Sequence, residues 1–108
     1  MALELLSDVA DEEGTFVVVA TFSGTPITVN WKLTDALGNV VNSRSTETET
    51  ATDVVNIILS GDDLALPDKN DTTRIVTVWG TFNSDTYGNG LPYTEEVSFT
   101  IENYIGIT

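Results

Sequence analysis

The side chains in this 108-residue chain that could do chemistry are mostly carboxylates, and they gather in two groups. Asp8, Asp11, Glu12 and Glu13 form one; Asp62 and Asp63, followed by Asp68, Asn70 and Asp71, form the other. Hard oxygen ligands on loop ends suit calcium, and a facing pair of carboxylates suits glycoside cleavage. The segment PDKNDT, residues 67–72, has neither the spacing nor the glycine of an EF-hand loop, so these acidic turns are read as solvated. They also cluster in turns rather than facing one another across a cleft. The chain contains no His and no Cys. That removes the usual general base near neutral pH, imidazole and thiolate metal ligands, disulfides, and the Ser-His and Cys-His nucleophile systems. Ser-Lys chemistry would need Lys32 or Lys69. Lys32 alternates outward beside Trp31, and Lys69 sits in a polar loop outside any motif. Gly88 and Gly90 belong to a YGNG turn and not to a phosphate loop. The expectation is a chain that is no enzyme, with no catalytic residue, no cofactor and no metal.

The elements that would position any site are strands. In residues 25–44, Ile27, Val29, Trp31 and Leu33 fall on every second position, with Thr28, Asn30, Lys32 and Thr34 between them. A period of two sends the two sets to opposite faces of a strand. Asp35–Asn39 supplies turn residues before Val40–Ser45 begins a partner strand. Thr15–Ser23 alternates with Phe16, Val18, Ala20 and Phe22 on one face and Val17 and Val19 on the other. Val54–Ser60, Thr73–Phe82 and Thr94–Asn103 complete the confident strands, the last two joined by a Gly- and Asn-rich loop over 83–92. Ala2–Ser7 suits a short helix or an extended arm equally. Asp8–Gly14 reads as an acidic turn, Thr46–Thr52 as an exposed edge or loop, and Asp62–Asp71 as a polar connection with one turn of 3₁₀ helix. No long helical pattern and no internal repeat is present.

One domain fits this length, with a core large enough for two layers. Short strands at this spacing, separated by turn signals, predict an all-β sandwich of about seven strands. Trp31 stands where immunoglobulin-like domains bury a tryptophan, here without an inter-sheet disulfide. Phe16, Phe22, Leu33, Leu59, Phe82, Phe99 and Ile101 would fill most of the remaining core. Four Lys and Arg against seventeen Asp and Glu leave a net charge of −13. Such a surface repels phosphates and anionic lipid, so neither nucleic acid nor membrane is an expected partner. No secretory signal pattern opens the chain, and the longest apolar run, Phe16–Ala20, falls far short of a membrane span.

Alternation also leaves apolar side chains outside. With Phe16 and Phe22 inward, Val17 and Val19 point out; with Val55, Ile57 and Leu59 inward, Val54 and Ile58 point out. In an immunoglobulin-like topology these two strands are neighbours, which would join the four into one aliphatic patch. Inward Val76, Val78 and Phe82 would leave Ile75 and Trp79 outside on the other sheet. Apolar patches kept on a polar surface mark association sites. The apolar ends, Leu3–Leu6 and Tyr104–Ile107 with Ile105 among them, are expected to dock on a neighbour. The candidate interface is Val17, Val19, Val54, Ile58, Trp79 and Ile105.

Three segments, WKLTDALGNVVNSR (31–44), ILSGDDLAL (58–66) and RIVTVWGTFNSDTYGNGLPYTEEVSFTIENYIGI (74–107), resemble small immunoglobulin-like virion structural proteins of tailed bacteriophages. In those proteins a W-x-L-T-D strand and G-N-x-V-N-S-R precede an L-S-G-x-D-L-A-L segment, a G-x-x-L-P turn and an F-x-I-x-N strand. The resemblance covers roughly residues 15–107 and brings no catalytic residues. It implies a single immunoglobulin-like β-sandwich over residues 15–103, preceded by an N-terminal arm or first strand (1–14) and followed by a C-terminal tail (104–108). It implies a virion structural role, with capsid decoration or cementing first and a neck or tail component as the alternative. The partners would be major capsid or neck and tail proteins, with a homo-oligomer also open, after synthesis in the host cytoplasm. Similar W-x-L-T-D-x-x-G-N strings occur in bacterial surface repeats, where a signal or anchor is expected. A different class, a carbohydrate-binding or adhesin module, would use Trp79 and Tyr87 as an exposed aromatic platform.

Overall fold

A computed structural model describes residues 2–5 and 7–106 of the chain. Among them are eight strands: β1 (Ala2–Leu5), β2 (Val9–Asp11), β3 (Thr15–Thr21), β4 (Thr25–Asp35), β5 (Glu47–Glu49), β6 (Val54–Ser60), β7 (Thr73–Ser84) and β8 (Gly88–Glu102). A single 3₁₀ turn, Gly61–Leu64, follows β6. The strands make two sheets, ordered β1-β3-β6 and β2-β8-β7-β4-β5. Neighbours pair antiparallel except β2 and β8, which run parallel. The chain is thus all-β and sandwich-like.

The core lies between the sheets. Phe16, Val18 and Ala20 of β3 and Val55, Ile57 and Leu59 of β6 face Val29, Trp31 and Leu33 of β4, Val76 and Val78 of β7, and Phe99 and Ile101 of β8, all buried. The link from sequence to packing is the two-residue period, since every second side chain of each strand is removed from water. Each large aliphatic or aromatic side chain so buried contributes about 1.5–3 kcal/mol. Phe16 and Phe99 stack across the two sheets with centroids 4.6 Å apart. Leu64, the last residue of the 3₁₀ turn, and Leu66 just beyond it are buried in the same core. Phe82, expected in the core, is only half-buried.

Four local expectations are corrected. Ile27 does not share a face with Val29, Trp31 and Leu33; it is 48% exposed. The register between β4 and β7 shifts between Pro26 and Thr28, and this bulge resets the alternation so that Pro26 is buried and Ile27 faces outward. Val40–Ser45 is not a strand. Only an isolated bridge joins Val40 to Thr34, and Asn42 and Ser43 have φ of 52° and 58°, a left-handed conformation that breaks an extended run. The strand beside β4 is instead β5, drawn from the Thr/Glu-rich stretch. Inside the acidic turn lies β2, whose single inward residue, Ala10, is too short a signal to read as alternation. Finally, β8 begins at Gly88, so the 83–92 loop is largely ladder and its turn is confined to Asp85–Tyr87.

The molecule measures 51 × 23 × 18 Å. A seven-residue strand such as β3 or β6 reaches only about 23 Å, so the longer β7–β8 hairpin runs beyond the small sheet. Beneath this overhang Tyr93 packs edge-on against Phe22 and Phe82, with centroids 5.3 and 6.3 Å away. Those rings shield the open end of the core.

Candidate functional site

The outer face of the β1-β3-β6 sheet carries the aliphatic cluster. Pairing sets Val17 opposite Ile58 and Val19 between Glu4 and Asn56. Val17 and Val19 are half-buried and Ile58 is 58% exposed. Together with Glu4, Leu5 and Asn56 they line an open depression of about 490 Å³. Val54 is exposed on the same face, opposite Thr21, and Asn56 separates it from Ile58. Three of the six expected interface residues therefore touch one depression, and a fourth lies just beyond it.

The other two lie elsewhere. Trp79 is half-buried on the outer face of the large sheet, between Asn30 and Thr94 in register, and its carbonyl accepts a hydrogen bond from Asn30 Nδ2 at 3.4 Å. Ile105 is almost fully exposed in the segment after β8. Tyr87 stands at the hairpin tip, several residues up the strand from Trp79, so the two rings do not form one platform.

The apolar ends are partly used by the chain itself. Leu3 and Leu5 are half-buried and pack against the chain's own core. Their positions opposite Ala20 and Val18 in the β1–β3 ladder turn them inward. Tyr104 is tied back to the N-terminal acidic turn: its hydroxyl donates to Asp11 Oδ1 at 2.7 Å and its N–H to Glu12 Oε1 at 3.0 Å. The hydrogen bond to the Asp11 carboxylate pushes the Tyr104 phenol above its ordinary pKa. Leu6 and Ile107 lie outside the described residues.

Several carboxylates expected to be simply solvated are structural. Glu12 is buried and pairs with Lys69. The Lys69 hydrogen bond pulls the Glu12 carboxyl below its usual range against the opposing effect of burial, with help from the Tyr104 N–H. Asp63 is also buried. It accepts from Arg44 Nε at 2.8 Å and Nη2 at 3.3 Å, from Asn42 Nδ2 at 2.9 Å and from the Ser60 N–H at 3.1 Å. Burial would raise its carboxyl, but the Arg44, Asn42 and Ser60 hydrogen bonds outweigh that and hold it low. Arg44 also donates to Glu47 Oε1 at 2.7 Å and lies over the Trp31 ring, 5.6 Å from the centroid. Both acceptors stabilise the guanidinium cation. The left-handed turn at Asn42 and Ser43 aims Arg44 and Asn42 at the 3₁₀ turn, so one cluster links the large sheet to the end of β6.

Among the described residues, no group of three or more His, Cys, Asp or Glu side chains is placed to hold a metal ion. No described helix is long and apolar enough to cross a membrane. Residue type alone could not have found the Arg44–Asp63 and Lys69–Glu12 pairs, because the partners are distant in sequence and flanked by ordinary turn residues. Compared with known proteins, the chain matches no family model, no curated protein and no solved structure.

Proposed function

We propose that this chain is a non-enzymatic virion structural protein of a tailed bacteriophage, built on an immunoglobulin-like sandwich and serving as a capsid decoration or cement protein. The strand order supports the immunoglobulin-like part. The orders β1-β3-β6 and β8-β7-β4-β5 are compatible with the A-B-E and G-F-C-C′ orders of that fold, with the short β2 added beside β8. Trp31 is buried on the C-like strand, as that fold favours. The sequence resemblance over residues 15–107 supports the virion role. The absence of His and Cys from the sequence favours a binding role over catalysis.

The observation that carries the binding role is the cluster of Val17, Val19 and Ile58 around one open depression on an otherwise strongly acidic chain. Aliphatic side chains held on a surface of this charge favour burial against a partner. The proposed partner is a major capsid or neck and tail protein, and the chain would reside in the virion. The test uses the phage genome that encodes the chain. Purified particles should contain the protein, and the double variant Val17→Asp/Val19→Asp should fold but be missing from them. Particles that incorporate the variant at the parental level would sink the assignment of this face; particles that never contain the parent would sink the virion role.

A further inference from the structure

β6 is an edge strand: β3 pairs with one side of it, and no described strand pairs with the other. Hydrogen bonds from Phe22 N to Asp53 O and from Gly61 N to Gly14 O fix which backbone groups face β3. Odd-numbered residues of β6 bond inward, so Val54, Asn56, Ile58 and Ser60 turn their N–H and C=O groups to the free edge. Two of those groups are already engaged. Thr52 Oγ1 donates to the Val54 carbonyl at 2.6 Å, and the Ser60 N–H donates to Asp63 Oδ2 at 3.1 Å. The Val54 N–H, both groups of Asn56, both groups of Ile58 and the Ser60 carbonyl remain directed outward.

This edge lacks the usual protection. β2 and β5 are three residues long, and β5 carries Glu47 and Glu49; β1 has four residues and carries Glu4. β6 runs seven residues, VVNIILS, with no charge, no proline and no register shift against β3. Long uncharged edges of this kind pair with other strands unless something blocks them.

We propose that β6 is a strand-pairing edge whose occupant is β6 of a second copy of this chain, antiparallel about a twofold axis at Ile57. In that register Asn56 lies opposite Ile58 of the second copy, and each exchanges both backbone hydrogen bonds with the other. Val54 lies opposite Ser60 of the second copy, its N–H donating to that carbonyl. The complementary bond of this last pair would join the Ser60 N–H to the Val54 carbonyl, the two groups that Asp63 and Thr52 already satisfy. Every outward group is thereby matched. A twofold axis at Asn56 leaves the Ile58 N–H unmatched, and one at Ile58 leaves the Asn56 carbonyl unmatched. The self-complementarity of the edge thus selects both the occupant and the register.

The contact is one strand wide, less than the roughly 1,600 Å² typical of stable complexes, so the dimer is weak and forms at high local concentration. Asp53 and Asp62 flank the edge and approach their counterparts on the second copy, so added salt strengthens the pairing by screening them. The inference does not rest on the virion role, and it deals with backbone groups of β6 rather than with the β3 face.

Sedimentation of the purified chain, up to roughly 1 mM and at low and high salt, tests it. The expected result is a monomer–dimer equilibrium that shifts toward dimer as salt rises. Asn56→Pro removes an outward N–H that makes no bond inside its own sheet, so it should stay folded yet monomeric. Ile58→Lys places charge on the edge without touching the backbone and should weaken dimerisation at least tenfold, which covers the case where the proline variant fails to fold. Asn56→Cys/Ile58→Cys should oxidise to a covalent dimer, because these positions face each other across the axis. Val17→Asp/Val19→Asp should leave dimerisation unchanged, which separates this edge from the docking face. A parent that stays monomeric at every concentration and salt would overturn the proposal. So would a dimer indifferent to Ile58→Lys, or a cysteine pair that gives no cross-linked dimer.

Discussion

The hydroxyl of Tyr93 donates to the carbonyl oxygen of Thr28 at 2.8 Å, although β8 and β4 are separated in the sheet by β7. The bond reaches across because the intervening residue is Gly80, paired with Tyr93 on one side and Val29 on the other. A Cβ at Gly80 would lie 2.1 Å from that same Thr28 oxygen. The bulge between Pro26 and Thr28 turns this carbonyl over the inner face, Gly80 makes room for it, and Tyr93 satisfies it. Three residues far apart in sequence thus form one device under the hairpin overhang.

Gly80→Ala should therefore destabilise the chain by about 3 kcal/mol, the upper part of the range for overpacking, since the clash is with backbone rather than a flexible side chain. Tyr93→Phe removes only one partly solvated hydrogen bond and should cost about 1 kcal/mol. Urea unfolding of the two variants measures both. An alanine variant as stable as the parent would mean that the bulge relaxes freely.

Trp31 offers a second test. Its ring is buried between Val78 and Glu47 in register, and Arg44 covers it. Trp31→Ala should cost about 3–5 kcal/mol, the usual penalty for deleting a buried aromatic. The indole N–H has no hydrogen-bond partner among the described residues, so Trp31→Phe should lose far less than Trp31→Ala. Equal losses in the two would point to a hidden role for the N–H.

How much of this was readable in the sequence depends on distance along the chain. The faces of β3 and β6 follow from alternation alone, because a regular strand needs only its own residues to assign inside and outside. Phe16, Val18, Ile57 and Leu59 are buried as that pattern requires, and Val17 and Ile58 meet on the outer face. Ile27 broke the pattern because a bulge is a property of two strands, visible only when β7 is laid beside β4. The free edge of β6 is likewise a fact of sheet order: nothing in VVNIILS says that its neighbour on one side is missing. The Arg44–Asp63 cluster needed the left-handed turn at Asn42 and Ser43, for which neither residue is a strong signal.

Arg44→Ala should be among the more damaging surface changes. It uncovers Trp31 and leaves the buried Asp63 carboxylate without its guanidinium partner. Removing one member of a buried pair costs about 3–5 kcal/mol, and since Arg44 is itself about a third exposed, the low end, about 3 kcal/mol, is expected. Arg44→Lys should recover only part of this, because an ammonium cannot reproduce the fork that spans both Asp63 oxygens. Denaturant midpoints of the two variants decide it; a lysine variant equal to the parent would show that charge alone matters.

Acid should destabilise the chain through the same carboxylate. For Asp63, burial acts to raise the pKa, but the hydrogen bonds from Arg44, Asn42 and Ser60 prevail and hold it below the ordinary value. Glu12 is lowered by Lys69 and Tyr104, and Asp35 by its hydrogen bonds from Asn39 and Leu37. In the unfolded chain these groups take up protons near pH 4, whereas in the folded chain they resist until lower pH. The unfolded state therefore binds more protons between those limits. The stabilisation they supply is complete above the unfolded values and drains away as pH falls through the folded ones. Relief of self-repulsion in a chain of net charge −13 works in the opposite direction over the same range. Comparison with Asp63→Asn isolates the Asp63 contribution, because the variant shares the global charge effect but has no carboxyl to titrate at that position. Urea midpoints should show a wide gap between parent and variant at pH 7 that narrows steadily toward pH 2. A gap of constant width would mean that the Asp63 carboxyl titrates alike in the folded and unfolded chains. A gap that widens toward low pH would mean that it is protonated in the folded chain, the Arg44 contact then being a neutral hydrogen bond rather than an ion pair.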